Sequence, residues 1–363
     1  MKNNEIVLIH GTDYADMTMR LLEKIDLAAI IGDKAARVAV KPNLVIADKA
    51  DRGAVTHPEI VDGVLRYLAE KGFGNVRVIE GSWVGDRTSV AFEESGIAAV
   101  CRKRNVKFYD LQKDSFVEKD ARGMTLKLCR QAAETDFLIN LPVVKGHCQT
   151  TITCALKNAK GLIPNSEKRR FHTMGLHKPI AHLNTILPRQ LIVADNICGD
   201  LNFEEGGNPV TMNRIFACMD PVLCDAFAAE CMGYTVEDIP YIRMAERLGV
   251  GSADTESAVV TRINEPAEHR TVQPTGRVRS LSRFAAPKQA CSACYGSLIY
   301  ALDRLDEQGQ TYGRKEKICI GQGYKGQSGG IGVGICTKGC ERSLAGCPPK
   351  AGDMVEFLKQ NWK

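Results

Sequence analysis

No apolar run in the 363-residue chain approaches the roughly 20 residues needed to cross a bilayer. The opening Met1–His10 segment reads as a short strand rather than as an export signal. The expectation is a soluble, cytoplasmic protein that engages no membrane. Aromatic residues make up only 6% of the chain, and the basic segments lack the aromatic interleaving of a nucleic-acid surface, so no nucleic-acid partner is expected. Internal repeats and low-complexity tracts are absent. So is a second C-x2-C pair, which a zinc ribbon would carry.

What is present is ordinary globular material. With 44% hydrophobic and 25% charged residues, the chain can bury a sizeable core in one large domain and a smaller one. Short β-branched runs alternate with helical patterns: Arg37–Lys41, Val76–Glu80, Val106–Asp110, Phe137–Leu141, Leu191–Asp195 and Arg214–Cys218. Between the first two, His57–Gly72 places Ile60, Val61, Val64, Leu65 and Leu68 on one helical face and ends on glycine. This grammar predicts an α/β fold with a mainly parallel, doubly wound sheet over residues 1–285. The pattern weakens into the polar, proline-bearing stretch Asn264–Gly276, and a small cysteine-rich module is expected over 286–363.

Polar residues follow the predicted strands closely: Lys41 and Asn43, Glu80 and Ser82, Lys145 and His147, Asp195, and Asp220. Ligands of open α/β sheets bind beyond the carboxyl ends of the strands, so these residues outline a site. The net charge of +5 is mild, but Lys145, His147, Lys157, Lys160, Lys168, Arg169, Arg170, His172, His177 and His182 crowd one segment. Such a cluster suits a carboxylate or phosphate, unless it is simply a solvated face. In this scheme His147, Glu80 and Lys145 are the catalytic residues, with His147 or Glu80 handling protons and Lys145 holding negative charge, and Lys41, Asn43, Ser82, Lys157, Asn158, Asp195 and Asp220 bind the substrate. A plainer reading makes Asp220 a helix cap and Asp225 a solvent-facing first-turn residue, the alternative being that one of them faces the pocket. The last three histidines are spaced five apart, which does not fit a helical zinc pair.

Fourteen cysteines in a long chain of this kind point to reduced thiols and metal ligation in a reducing or anaerobic cytoplasm, rather than to a disulfide framework. Cys291-Ser-Ala-Cys294 opens a helix whose apolar face is Leu298, Ile299, Leu302 and Leu305. A glycine-rich stretch from Gly321 to Gly334 follows, then Cys336-Thr-Lys-Gly-Cys340 and Gly346-Cys-Pro-Pro349. Glycine-rich backbone can wrap closely around a cluster, and a cysteine followed by proline recurs in cluster-binding runs. We expect a [4Fe–4S] cluster on Cys291, Cys294, Cys336 and Cys347, with Cys340 in reserve and Cys319 packed on its strand; zinc is the alternative. Gly321-Gln-Gly-Tyr-Lys-Gly326 matches the dinucleotide fingerprint, but the sequence after it does not favour the helix that fingerprint requires.

Taken together, Lys41-Pro-Asn-Leu44, Thr56-His-Pro-Glu59, Lys145-Gly-His147, Leu156-Lys-Asn-Ala-Lys-Gly161, Asp195, Asp220 with Asp225, Cys291-x2-Cys294 and Gly346-Cys-Pro-Pro349 resemble the DUF362 family. That resemblance implies an iron–sulfur protein and favours Cys336 and Cys347 over Cys340. Gly146-His147 and the helix after it are also faintly similar to a loop of nickel-dependent lactate racemases. Three functions follow as expectations. The first is a redox or electron-transfer protein, or an oxidoreductase, acting with a partner redox protein or a small anionic metabolite. The second is a non-redox racemase, isomerase or lyase of small hydroxy or sugar acids. The third is a cluster-based binding or sensing module. An oligomer is compatible with all three.

Overall fold

The computed structural model of the chain describes residues 1–267, 272 and 276–363. In chain order its strands are β1 (Glu5–His10), β2 (Val38–Pro42), β3 (Val76–Glu80), β4 (Lys107–Asp110), the hairpin β5 (Phe116–Asp120) and β6 (Thr125–Cys129), β7 (Phe137–Leu141), and the short hairpin β8 (Lys145–His147) and β9 (Thr151–Thr153). They continue with β10 (Arg189–Asp200), β11 (Pro209–Cys218), β12 (Val259–Arg262), β13 (Ala285–Pro287), β14 (Ile318–Ile320), β15 (Gly329–Val333) and β16 (Cys340–Leu344).

Eight strands form the central sheet in the order β12-β1-β11-β10-β7-β2-β3-β4. Every pairing from β10 to β4 is parallel, as is β1 with β12, whereas β11 runs antiparallel to both β10 and β1. The fold is therefore mixed α/β with a mostly parallel central sheet. The antiparallel turn has a simple cause: only residues 201–208 separate β10 from β11, fewer than the dozen or more a parallel crossover needs.

Alternation along the strands feeds two apolar layers. Val7, Ile9, Val38, Val40, Ile139 and Val193 face the helices Tyr14–Ile25 and Pro58–Glu70. Ile6, Leu8, Ala39, Leu138, Ile192 and Ala194 face the helices His177–Leu183, Pro221–Cys231 and Pro240–Arg247. A sheet covered on both faces explains why its central strands read as unbroken apolar runs. A third core gathers Leu298, Ile299, Leu302, Ile318, Ile331, Leu358 and Trp362 around the parallel sheet β13-β14-β15-β16 and the helices Ser292–Glu307 and Ala351–Asn361. Of the polar stretch Asn264–Gly276 expected between the two parts, residues 268–271 and 273–275 lie outside the described residues. Among the described residues no helix is long and apolar enough to cross a membrane.

Candidate functional site

The carboxyl ends of β2 and β3 open beneath a short helical stretch, Ala155–Asn158 continuing into Ala159–Leu162, and beneath the helix Asn165–Thr173. Asp225 starts that stretch by accepting from Leu156 N at 3.3 Å. The side chains it delivers join a buried polar chain. Gln190 Oε1 accepts from Asn140 Nδ2 at 3.2 Å, and Asn140 Oδ1 accepts from Asn158 Nδ2 at 2.8 Å. Asn158 Oδ1 in turn accepts from Lys41 Nζ at 3.1 Å, and Lys41 is paired with Glu80. Burial opposes the charge on both partners of that pair, pushing Lys41 down and Glu80 up, while each holds the other back. Gly161 is required here, because a Cβ would stand 1.9 Å from Glu80 Oε1.

Beside this chain lies a second group that the sequence did not disclose. Glu204 binds Lys157, and its backbone oxygen accepts from Lys145 Nζ at 2.8 Å. Lys145 also donates to Ala54 O at 2.6 Å, and burial lowers it to about 7. His147 Nδ1 accepts from the backbone N–H groups of Gln149 and Thr150 at 3.0 and 3.1 Å, so the ring proton sits on Nε2. That nitrogen lies 2.9 Å from Glu204 Oε2 but off the line of a hydrogen bond. Burial lowers His147 to about 4. Burial opposes the charge of Glu204 too, yet His147 and Lys157 hold its carboxyl well below the usual range. Gly146 lets β8 lie flat on the chain, since a Cβ would meet Leu201 O at 2.2 Å. Glu204 comes from a connection without periodicity, and the only signal for it was a pair of acids before two glycines.

A cavity of about 70 Å³ opens between these groups and the start of the helix Ser292–Glu307. Its walls include Asn43, Glu80, Lys157, Asn158, Lys160, Lys168, His172, Glu204 and Cys291. Lys168 Nζ donates to Gly81 O and Ser82 O, both at 2.8 Å, and burial lowers it to about 8. Lys160 forms no ion pair or side-chain hydrogen bond among the described residues, and burial followed by the charge of Lys157 lowers it to about 7. His172 Nε2 accepts from Ser292 N at 3.5 Å, and its buried Nδ1 has no partner. The cavity wall carries three lysines, Lys157, Lys160 and Lys168, against two acids, Glu80 and Glu204. The charge balance favours an anion.

The remaining expected residues stand elsewhere. Lys145 and His147 lie behind the cavity wall and fix Glu204, so His147 is not placed to exchange protons with a ligand there. Ser82 Oγ donates to Leu44 O at 2.6 Å and serves the backbone. Asp195 accepts from His57 N and Nδ1 at 2.8 and 2.9 Å, away from the cavity. Asp220 caps the helix Pro221–Cys231 through Val222 N and Leu223 N and also takes Ser252 N, so the plainer reading of that residue is the structural one. Of the three later histidines, His177 stacks on Tyr241 and His182 meets Ala121 O at 2.7 Å. The Gly321–Gly326 fingerprint contains the three-residue turn Gln322–Tyr324 and leads into β15, not a helix.

The four expected ligand cysteines gather at one end of the second sheet. Burial raises Cys291, Cys294 and Cys336, and each lies within electrostatic range of others in the group and of Cys347. The loops that carry them are tied by Gly334 N to Leu344 O and by Ile335 N to Gly346 O, each at 2.8 Å. No three of these sulfurs lie within 4.8 Å of one another. One zinc ion with thiolates at 2.3 Å would bring them to about 3.8 Å apart. Cys340 turns away toward Cys319: a Cβ on Gly329 would meet both sulfurs at 3.1 Å.

The family model described as a domain of unknown function, DUF362, matches residues 38–230, more than half of the chain. The chain belongs to the DUF362 family. The matched stretch holds every cavity residue named above except Cys291. A thylakoid-associated protein of Synechocystis sp. is 26% identical over 231 residues, covering 61% of this DUF362 chain and 70% of the relative. Among solved structures, the lactate racemase apoprotein from Thermoanaerobacterium thermosaccharolyticum aligns at 14% identity with a TM-score of 0.37, over 60% of this chain and 55% of the racemase. The chain thus spans little more than half of that protein. A protein of Thermotoga maritima aligns at 16% identity with a TM-score of 0.38, over 71% and 62% of the two chains.

Proposed function

We propose that this protein is an iron–sulfur redox protein that binds a small anion directly beside its cluster. One observation carries the reading: Cys291, the first residue of the cysteine quartet, also lines the lysine-rich cavity. The glycine-rich backbone that carries the quartet supports a cluster, since such backbone can wrap closely around one. Cys291, Cys294, Cys336 and Cys347 would hold the cluster. When bound, a [4Fe–4S] cluster supplies one-electron transfer.

The chain's own groups do the rest. Lys157, Lys160 and Lys168 hold the negative charge of the ligand, together with the N-terminal N–H groups of the helix Ser292–Glu307. Lys160, lowered to about 7 and free of a partner, is placed to give or take a proton near neutrality. Lys41, Asn158 and Asn140 brace the floor. A cavity of about 70 Å³ admits a carboxylate or oxyanion of a few heavy atoms.

The test is anaerobic purification, analysis of iron, sulfide and zinc, and visible spectra before and after dithionite, repeated with formate, nitrite and bicarbonate. Expected are four irons with matching sulfide, a broad absorption bleached by reductant, and a spectral response to at least one anion that Lys160→Met abolishes. One zinc and no colour would make the module structural and overturn the proposal. A cluster that cannot be reduced in the physiological range would end its redox part.

A further inference from the structure

Outside the cavity and the cysteine quartet, one other group of side chains has the chemistry of a metal site. Cys154 immediately precedes the helix Ala155–Asn158, and Cys224 and Asp225 lie side by side on the helix Pro221–Cys231. Their two sulfurs and one carboxylate oxygen all lie within 4.8 Å of one another, and no other trio of histidine, cysteine, aspartate or glutamate does so among the described residues. The Cys154 and Cys224 sulfurs are 3.8 Å apart. That is the separation two thiolates adopt on one tetrahedral zinc ion, where bonds of 2.3 Å give about 3.8 Å. All three residues are fully buried.

The second observation is the state of Asp225. Its Oδ1 accepts from Leu156 N, while the buried Oδ2 has no hydrogen bond of good geometry although the Tyr241 hydroxyl and the Cys154 thiol lie beside the carboxyl. A buried carboxyl oxygen without a well-formed hydrogen bond is costly, and a cation shared with the two thiols beside it would satisfy it. Cys218 is the nearest further thiol, within electrostatic range of Cys154 and Asp225; its sulfur now donates to Asp220 O at 3.2 Å.

We propose that Cys154, Cys224 and Asp225 bind one thiophilic divalent cation of the zinc class. A divalent ion leaves two thiolates and a carboxylate at a net charge of −1, whereas a monovalent copper ion would leave −2 in a core that tolerates neither well. The ion would staple the helix carrying Asp225 to the one carrying Lys157 and Asn158, locking the cavity's roof from behind. It neither needs nor touches the quartet around Cys291, so it stands or falls separately from the redox proposal.

The experiment is elemental analysis of the full chain purified anaerobically from zinc-replete cells, comparing wild type, Cys291→Ser, Cys224→Ser and Asp225→Asn. Asparagine keeps the size of Asp225 and can still accept from Leu156 N, so this variant tests the site if Cys224→Ser fails to fold. The expected result is about one zinc per chain in wild type and Cys291→Ser, at least tenfold less in Cys224→Ser, and at least tenfold faster loss to a chelator in Asp225→Asn. Refolding with cobalt should give stronger thiolate-to-cobalt absorption in Cys291→Ser than in the double variant Cys291→Ser with Cys224→Ser. Wild type with no metal other than cluster iron, or zinc retained equally by Cys224→Ser and Asp225→Asn, would overturn the site.

Discussion

At His57 the backbone N–H and the imidazole Nδ1 both reach one oxygen of Asp195, and Tyr14 meets the ring edge-on at 5.3 Å. Burial opposes a charged ring, yet Asp195 wins and raises His57 to about 10. The unfolded chain releases that proton near 6.5. The pair's stabilisation is therefore complete below about pH 6.5 and is lost as pH climbs through 10. Asp195→Asn should cost about 3–5 kcal/mol, the range for breaking a buried ion pair. Urea unfolding at pH 6.5 and 9.5 should show that deficit shrinking at the higher pH; a deficit independent of pH would mean that His57 is neutral in the fold. The same residue shows what the sequence could not reveal. Asp195, Ser82 and Asp220 are polar residues near strand ends and so look like ligands, but each is consumed by a neighbouring backbone or ring N–H or carbonyl. Lys157 and Asn158 were legible because they are polar residues on a helix packed over the sheet. Glu204 was not, because nothing in its loop is periodic.

Among the elements, β3 and β7 were read to the residue, since apolar β-branched runs in a sheet covered on both faces have few alternatives. The hairpin β5–β6 went unseen: its Phe-Val-Glu-Lys-Asp shows no apolar–polar alternation, because the ribbon is half exposed. The helical stretch that ends at Leu162 is the element on which the cavity depends, and Gly161 is its tightest point. An alanine Cβ there would lie 1.9 Å from Glu80 Oε1 and 2.8 Å from Lys41 Cε, while Glu80 is held by Gly81 N and Lys41. Gly161→Ala should therefore destabilise the fold by about 1–3 kcal/mol. Gly352→Ala, exposed in the first turn of its helix with nothing within 4 Å, should be neutral or slightly stabilising. Chemical denaturation of the two variants side by side checks this, and equal midpoints would show that the Lys41–Glu80 pair yields freely.

Across the whole molecule, the cavity and the cysteine quartet share one wall. The loop after β3 lines the cavity through Gly81, Trp83 and Val84, and its next residue, Gly85, presses on the turn that bears Cys347. A Cβ on Gly85 would stand 2.2 Å from Pro348 Cδ and 3.3 Å from Cys347 O, and the glycine adopts φ +117°, a conformation other residues resist. Gly85→Ala should consequently displace Cys347 while leaving the two apolar layers of the α/β part intact. Outer contacts that orient a ligand are worth about tenfold or more in metal affinity. The expected outcome is roughly tenfold faster loss of iron to a chelator, with an unfolding midpoint close to wild type. Iron retention equal to wild type would show that the quartet does not depend on the loop after β3. A parallel fall in iron retention and anion response would show that the loop holds the cavity and Cys347 as one unit.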